Sequence, residues 1–185
     1  MKSIRITAAV LALSTALSSG MAFAENPMVG GAAMYEDKNI VENAVNSADH
    51  TTLVAAVTAA GLAETLMGPG PFTVLAPTNE AFAKLPAGTV ETLLKPENKD
   101  MLVKILTCHV IAANALSTDI VGMIEADGGK HKVTTVGGCE FTLSTMDGKV
   151  MIEDGQGNMA TVTIADVMQS NGVIHVIDTV LLPAS

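Results

Sequence analysis

Apolar positions change their spacing along the chain, and the change divides it into a helical part and a strand part. Ile40, Val41, Ala44 and Val45 recur at helical intervals, as do Leu53, Val54, Val57 and Ala60, with Gly61 placed to end the second helix. Met67-Gly68-Pro69-Gly70-Pro71 reads as a turn, and Phe72-Thr73-Val74-Leu75-Ala76 as a short strand stopped by Pro77. Thr78 is placed to cap a helix with Glu80 in its first turn. A further helix is expected near Thr89, and Pro96 opens another through Met101, Leu102, Ile105 and Leu106.

From Cys108 the pattern turns extended. His109-Val110-Ile111 reads as strand, and Ser117 as the cap of a helix reaching about Ala126. Lys132 to Val136 and Cys139 to Thr145 alternate as strands, and Asp147-Gly148 is a hairpin turn before Lys149 to Glu153. Another turn over Asp154 to Asn158 leads into Met159 to Ile164, and Val173 to Ile177 is the last clear strand. A run of helices followed by antiparallel strands predicts an α+β fold, a curved sheet pair or sandwich with helices packed at one side.

The N-terminus reads as an address. Lys2 and Arg5 precede a short apolar run from Ile6 to Leu17, and Ala22-Phe23-Ala24 supplies a cleavage site. Thr7, Ser14, Thr15, Ser18, Ser19 and Gly20 interrupt the run, which is too short for a membrane span. The expected organisation is a signal peptide over 1–24, a strap or linker over 25–38 and one domain over 39–184, periplasmic or secreted, with no span in the mature chain. Charge narrows the partners. The chain carries ten Lys plus Arg against nineteen Asp plus Glu; without Lys2 and Arg5, eight lysines, no arginine and a net charge of −11 remain. Such a body lacks the clustered cations that replace counterions on phosphates, so nucleic acid is not an expected partner.

Candidate chemistry is sparse. Cys108 and Cys139 are the only cysteines, and in an exported chain they form either a disulfide, which compartment and parity favour, or two buried thiols. No motif for a nucleophilic serine, a zinc protease or a phosphate loop occurs. Asp154, Gln156 and Asn158 imitate a calcium loop, yet Met159 stands where glycine is needed and Ala165 where a bidentate glutamate belongs. His50, His109, His131 and His175 are scattered, so neither metal nor cofactor is expected. Nine methionines follow position 24, spread without the close clusters of a copper(I) site, and the expectation is that they fill the core.

Two segments resemble the signatures of the fasciclin domain: Phe72-Thr73-Val74-Leu75-Ala76-Pro77-Thr78-Asn79-Glu80-Ala81-Phe82 and Asn171-Gly172-Val173-Ile174-His175-Val176-Ile177-Asp178. Between them, Leu106-Thr107-Cys108-His109-Val110 is similar to the family's central Tyr-His segment, with Cys108 in place of the tyrosine. The resemblance runs from about Asn39 to Pro183, and the Asn26 to Gly31 lead-in is similar to that of small exported bacterial members.

The resemblance implies a β-sandwich or wedge with a helical side and a non-enzymatic adhesion or interaction module. The partner would be a cell-surface or matrix protein or a glycan; the alternative is carriage of an apolar small ligand such as a carotenoid. It gives Thr73, Pro77, Thr78, Asn79, Phe82, Asn171, Gly172 and His175 structural roles. Asp166-Val167-Met168 occupies the place of a contact segment in animal matrix members, and these three with His109 are the candidate partner-binding residues. The bland reading of the segment is that Val167 and Met168 are buried and Asp166 caps a turn.

Overall fold

The computed structural model describes residues 26–184. The expected signal peptide and its cleavage site lie outside them. A small hairpin, β1 (Met28–Val29) and β2 (Ala32–Ala33), precedes a helical region: α1 (Ile40–Ala44), α2 (Thr51–Ala60) and α3 (Ala63–Met67). Strand β3 (Phe72–Pro77) leads to α4 (Asn79–Ala83), α5 (Thr89–Leu93), α6 (Lys99–Cys108) and strand β4 (Val110–Ile111). Helix α7 (Ser117–Ala126) then opens the strand-rich part: β5 (Lys130–Thr134), β6 (Glu140–Met146), β7 (Lys149–Glu153), β8 (Met159–Gln169) and β9 (Gly172–Ile177). The predicted turn at Asp147-Gly148 has positive φ at both residues, 52° and 76°, as a tight hairpin requires.

One seven-stranded sheet runs in the order β4-β3-β9-β8-β7-β6-β5. Its neighbours are antiparallel except β3 and β9, which pair in parallel from Phe72↔Gly172 to Pro77↔Ile177. The two signature strands therefore lie side by side although almost a hundred residues separate them. Both faces of this pair are covered. Val74, Ala76, Ile174 and Val176 join the core under α1 to α6, while Leu75 and Ile177 join a second core with Phe141, Leu143, Ile152 and the α7 residues Ile120 and Ile124. Burial on both faces explains why these strands read as continuous apolar runs. Helix α7 packs against β5, β6 and β7, apart from the other helices.

Strand β8 extends past the predicted end at Ile164. Two register shifts, between Val162 and Ile164 and between Ile164 and Val167, bend it. Its start pairs with β7 and its remainder with β9, so the bend splits the sheet into two halves. The free edges of those halves meet. Val136 N donates to Val110 O at 2.8 Å, Gly137 N donates to Thr107 O at 3.0 Å, and the Cys108–Cys139 disulfide joins the same corner. The bond thus clasps an almost closed sheet.

The segment expected as strap or linker is packed down. Val29 and Met34 are buried in the helical core, and Ala48 N and Ser170 N donate to Gly30 O and Lys38 O. Gly172 permits a close approach rather than a turn. Its φ is not positive, but a Cβ there would collide with the Phe72 carbonyl, and one at Gly70 with the Asn171 carbonyl. The methionine expectation is overturned. Only Met34 of the nine is buried; Met28, Met67, Met101, Met123, Met146 and Met159 are exposed. The core is filled by Val, Leu, Ile and Ala, whose shapes suit the flat faces of the central strands.

His109 was a candidate contact residue, but its side chain is buried. Its Nδ1–H donates to Ile105 O at 2.8 Å, and Nε2 accepts from Leu181 N at 3.0 Å, anchoring the C-terminal tail. Both ring nitrogens are thus used by the neutral form, and burial lowers the pKa to about 4.

Two outcomes follow from this architecture. Native protein should take up no thiol label, and reduction should lower the melting temperature by roughly 6–15 °C, because about 3–4 kcal/mol of chain constraint is lost. Two labels on denatured, unreduced protein would contradict the clasp. The second outcome concerns pH. Unfolded His109 takes up a proton near pH 6.5 and folded His109 only near pH 4, so the unfolded chain binds more protons in between. Stability should be full above pH 6.5 and fall as the pH drops, by on the order of 3 kcal/mol from this group. Denaturant midpoints for wild type and His109→Gln check it: the variant should show a shallower loss between pH 6.5 and 4, and parallel curves would contradict it.

Candidate functional site

The second signature sits where β8 bends, and its geometry starts from Asp166. Ala165 and Asp166 bulge opposite His175 on β9, and Asp166 has φ 56°, a left-handed conformation unusual for a residue with a side chain. The bulge turns the carboxylate toward the start of α7. Asp166 Oδ1 accepts from Ser117 N at 2.7 Å, and Oδ2 accepts from Ser117 Oγ. Ser117 was predicted to cap α7 itself; instead it is the first helical residue, and Asp166, 49 positions away, satisfies its amide.

His175 completes this cluster. Its Nδ1 accepts from Asp166 N at 3.2 Å, which requires the proton on Nε2, and Nε2–H donates to Ala115 O at 2.8 Å. Burial lowers its pKa, keeping the ring neutral. Ser117, Asp166 and His175 are therefore brought together without the wiring of a catalytic triad. The serine bonds the carboxylate directly, and the histidine faces main-chain groups at both nitrogens.

Thr73 and His175, one from each signature strand, hold the loop before α7. Thr73 Oγ1 donates to Ala113 O at 2.6 Å and accepts from Ala115 N at 2.9 Å. Asn114, between those contacts, is left exposed. On the other side, Asn171 ties three elements: its Nδ2 donates to Leu66 O at 2.7 Å and Gly68 O at 2.9 Å, and its Oδ1 accepts from Ile40 N at 3.1 Å. Asn79 does the same at the first signature, accepting from Thr52 N at 3.0 Å and donating to Ala48 O at 2.8 Å. Thr78 Oγ1 accepts from Ala81 N at 3.2 Å, Pro77 ends β3, and Phe82 is buried in the helical core.

These anchors frame an open notch of about 340 Å³. Pro71, Asn114, Met168, Ser170 and Gly172 border it. Of the candidate contact segment, Val167 is fully buried and presents no surface, Asp166 spends both oxygens on α7, and half-buried Met168 lies in the notch wall. Sequence reasoning did not find Asn114, Ser170 or Pro71, which are far apart in the chain and carry no local motif.

A separate apolar pit of about 110 Å³ lies between α1, α2, α3 and β3, with Val45 and Val136 exposed among its lining residues. Its size suits one ring, comparable to an engineered cavity of about 150 Å³ that binds benzene, and is small for a whole carotenoid. The Asp154 carboxylate holds its own turn and the C-terminal tail, accepting from Gln156 N, Asn158 N, Asn158 Nδ2 and Leu182 N. Among the described residues, no group of three or more His, Cys, Asp or Glu side chains is placed to hold a metal ion, and no helix is long and apolar enough to cross a membrane.

The fasciclin-domain family profile matches residues 48–183. Protein sll1483 of Synechocystis sp. is 46% identical over 179 residues, covering 96% of this chain and 92% of that protein. Immunogenic protein MPB70 of Mycobacterium bovis is 35% identical over 150 residues, 76% of this chain and 66% of that one. Transforming growth factor-beta-induced protein ig-h3 of Sus scrofa is 36% identical over 134 residues, 72% of this chain but 18% of its own length. The FAS1 domain pair of the insect cell adhesion molecule fasciclin I superposes with a TM-score of 0.53 at 26% identity, covering 68% of this chain and 42% of that chain. With the signature side chains serving as its internal anchors, the chain belongs to the fasciclin-domain family.

Proposed function

We propose that this protein is an exported, non-enzymatic interaction module whose contact surface is the notch beside the second signature. The observation that carries the reading is the division of labour within Asp166-Val167-Met168. The first two side chains are committed to the fold, while Met168 is held at a concave surface with Asn114 and Ser170. Its neighbours are fixed by hydrogen bonds from both signature strands, so the notch is preorganised, which lowers the ordering cost of association. A half-buried thioether flanked by amide and hydroxyl groups suits a partner with a small apolar projection and polar flanks, as on a cell-surface or matrix protein. Likeness to an insect cell adhesion molecule supports the class of function, and the Lys2 to Ala24 pattern supports export.

The test separates contact from scaffold. Met168→Lys should weaken binding of the purified protein to envelope or matrix fractions tenfold or more, about 1.4 kcal/mol, with an unchanged melting temperature. Asp166→Ala should instead cost about 1–2 kcal/mol of stability through the lost cap. Undiminished binding by Met168→Lys would remove the notch from the account.

A further inference from the structure

Methionine supplies six of the nine large apolar side chains that are exposed among the described residues, the others being Tyr35, Val45 and Val136. Among the described residues no leucine, isoleucine or phenylalanine is exposed, whereas six methionines are, at 37–60% of their surface. Methionine ordinarily belongs among the buried residues. The six stand on different elements: Met28 on β1, Met67 on α3, Met101 on α6, Met123 on α7, Met146 on β6 and Met159 on β8. Each of the six side chains thus has its own access to solvent.

Met151 and Met168 are half-buried, and the rest of the sulfur is protected. Cys108 and Cys139 are both buried and bonded to each other, no free cysteine is present, and Met34 is buried in the helical core. Oxidisable sulfur thus ranges from a sealed set, the disulfide and Met34, through half-buried Met151 and Met168 to an accessible set of six.

We propose that the six exposed methionines form a stoichiometric sink for hydroperoxide oxidants. In each event a thioether sulfur lone pair attacks one oxygen of the hydroperoxide. An S–O bond forms as the O–O bond breaks, and the departing oxygen takes the remaining proton and leaves as water or an alcohol. The sulfur loses two electrons and becomes a sulfoxide; the peroxide is reduced by the same two. The sulfoxide is polar, and it disrupts packing only where the methionine was buried. Because these six side chains are exposed, the fold should tolerate oxidation at all six.

The experiment titrates folded protein with hydrogen peroxide and follows oxygen uptake by intact mass and peptide mapping, with the melting temperature measured at each stage. Met28, Met67, Met101, Met123, Met146 and Met159 should convert first, half-buried Met151 and Met168 after them and Met34 last, with melting within about 3 °C of the untreated protein once six oxygens are bound. A variant with all six changed to leucine should melt cooperatively and lose this early uptake. Cells producing it should survive a peroxide challenge less well than cells producing wild type. Conversion of Met34 alongside the surface sites, loss of cooperative melting at six oxygens, or equal survival of the two strains would each overturn the proposal.

Discussion

Two short strands that lie far apart in the chain, Phe72–Pro77 and Gly172–Ile177, pair in parallel, and every layer of the molecule is built on that pair. A parallel pair cannot be closed by a hairpin; it needs a crossover, and here the crossover is most of the domain. Side chains alternate between a helical core and a sheet-and-α7 core, so neither face can slip by one residue without exposing one core and misfilling the other. Glycine at 172 and at 70 lets the two backbones approach where any Cβ would collide.

Around the pair, polar signature residues act as ties from side chain to main chain. Asn171 joins α1 and α3 to the entrance of β9, Asn79 fixes the start of α2, and Thr73 and His175 hold the loop before α7. Each satisfies buried or half-buried main-chain groups that would otherwise cost about 1–3 kcal/mol apiece. These bonds explain why the signatures are polar residues embedded in apolar strands. They also shape the proposed contact surface: the loop that Thr73 and His175 hold carries Asn114 to the notch, whose wall Met168 shares.

Much of this was legible in local sequence. The strand from Phe72 to Ala76, the Asp147-Gly148 hairpin and a helix from about Ser117 to Ala126 follow from a short apolar run stopped by proline, turn chemistry and a helix-start residue. The parallel pairing was not legible, because register between distant strands leaves no local mark. Strand β8 read as ending at Ile164 because the Ala165-Asp166 bulge breaks the alternation that defines a strand. Methionines misled because hydrophobicity alone does not separate a residue that fills a core from one that stands outside it. The site was half legible: Asp166 to Met168 could be singled out by resemblance, but the roles of its three members depend on Ser117 and Asn114, which only the fold brings near.

Native-state hydrogen exchange tests the primacy of the β3–β9 pair most directly. Amides from Val74 to Ala76 and from Ile174 to Val176 should be the slowest in the protein, and both strands should exchange at one free energy equal to that of global unfolding. Slower exchange in the β6–β7 hairpin or in α2 and α6, with β3 or β9 opening first, would contradict the account.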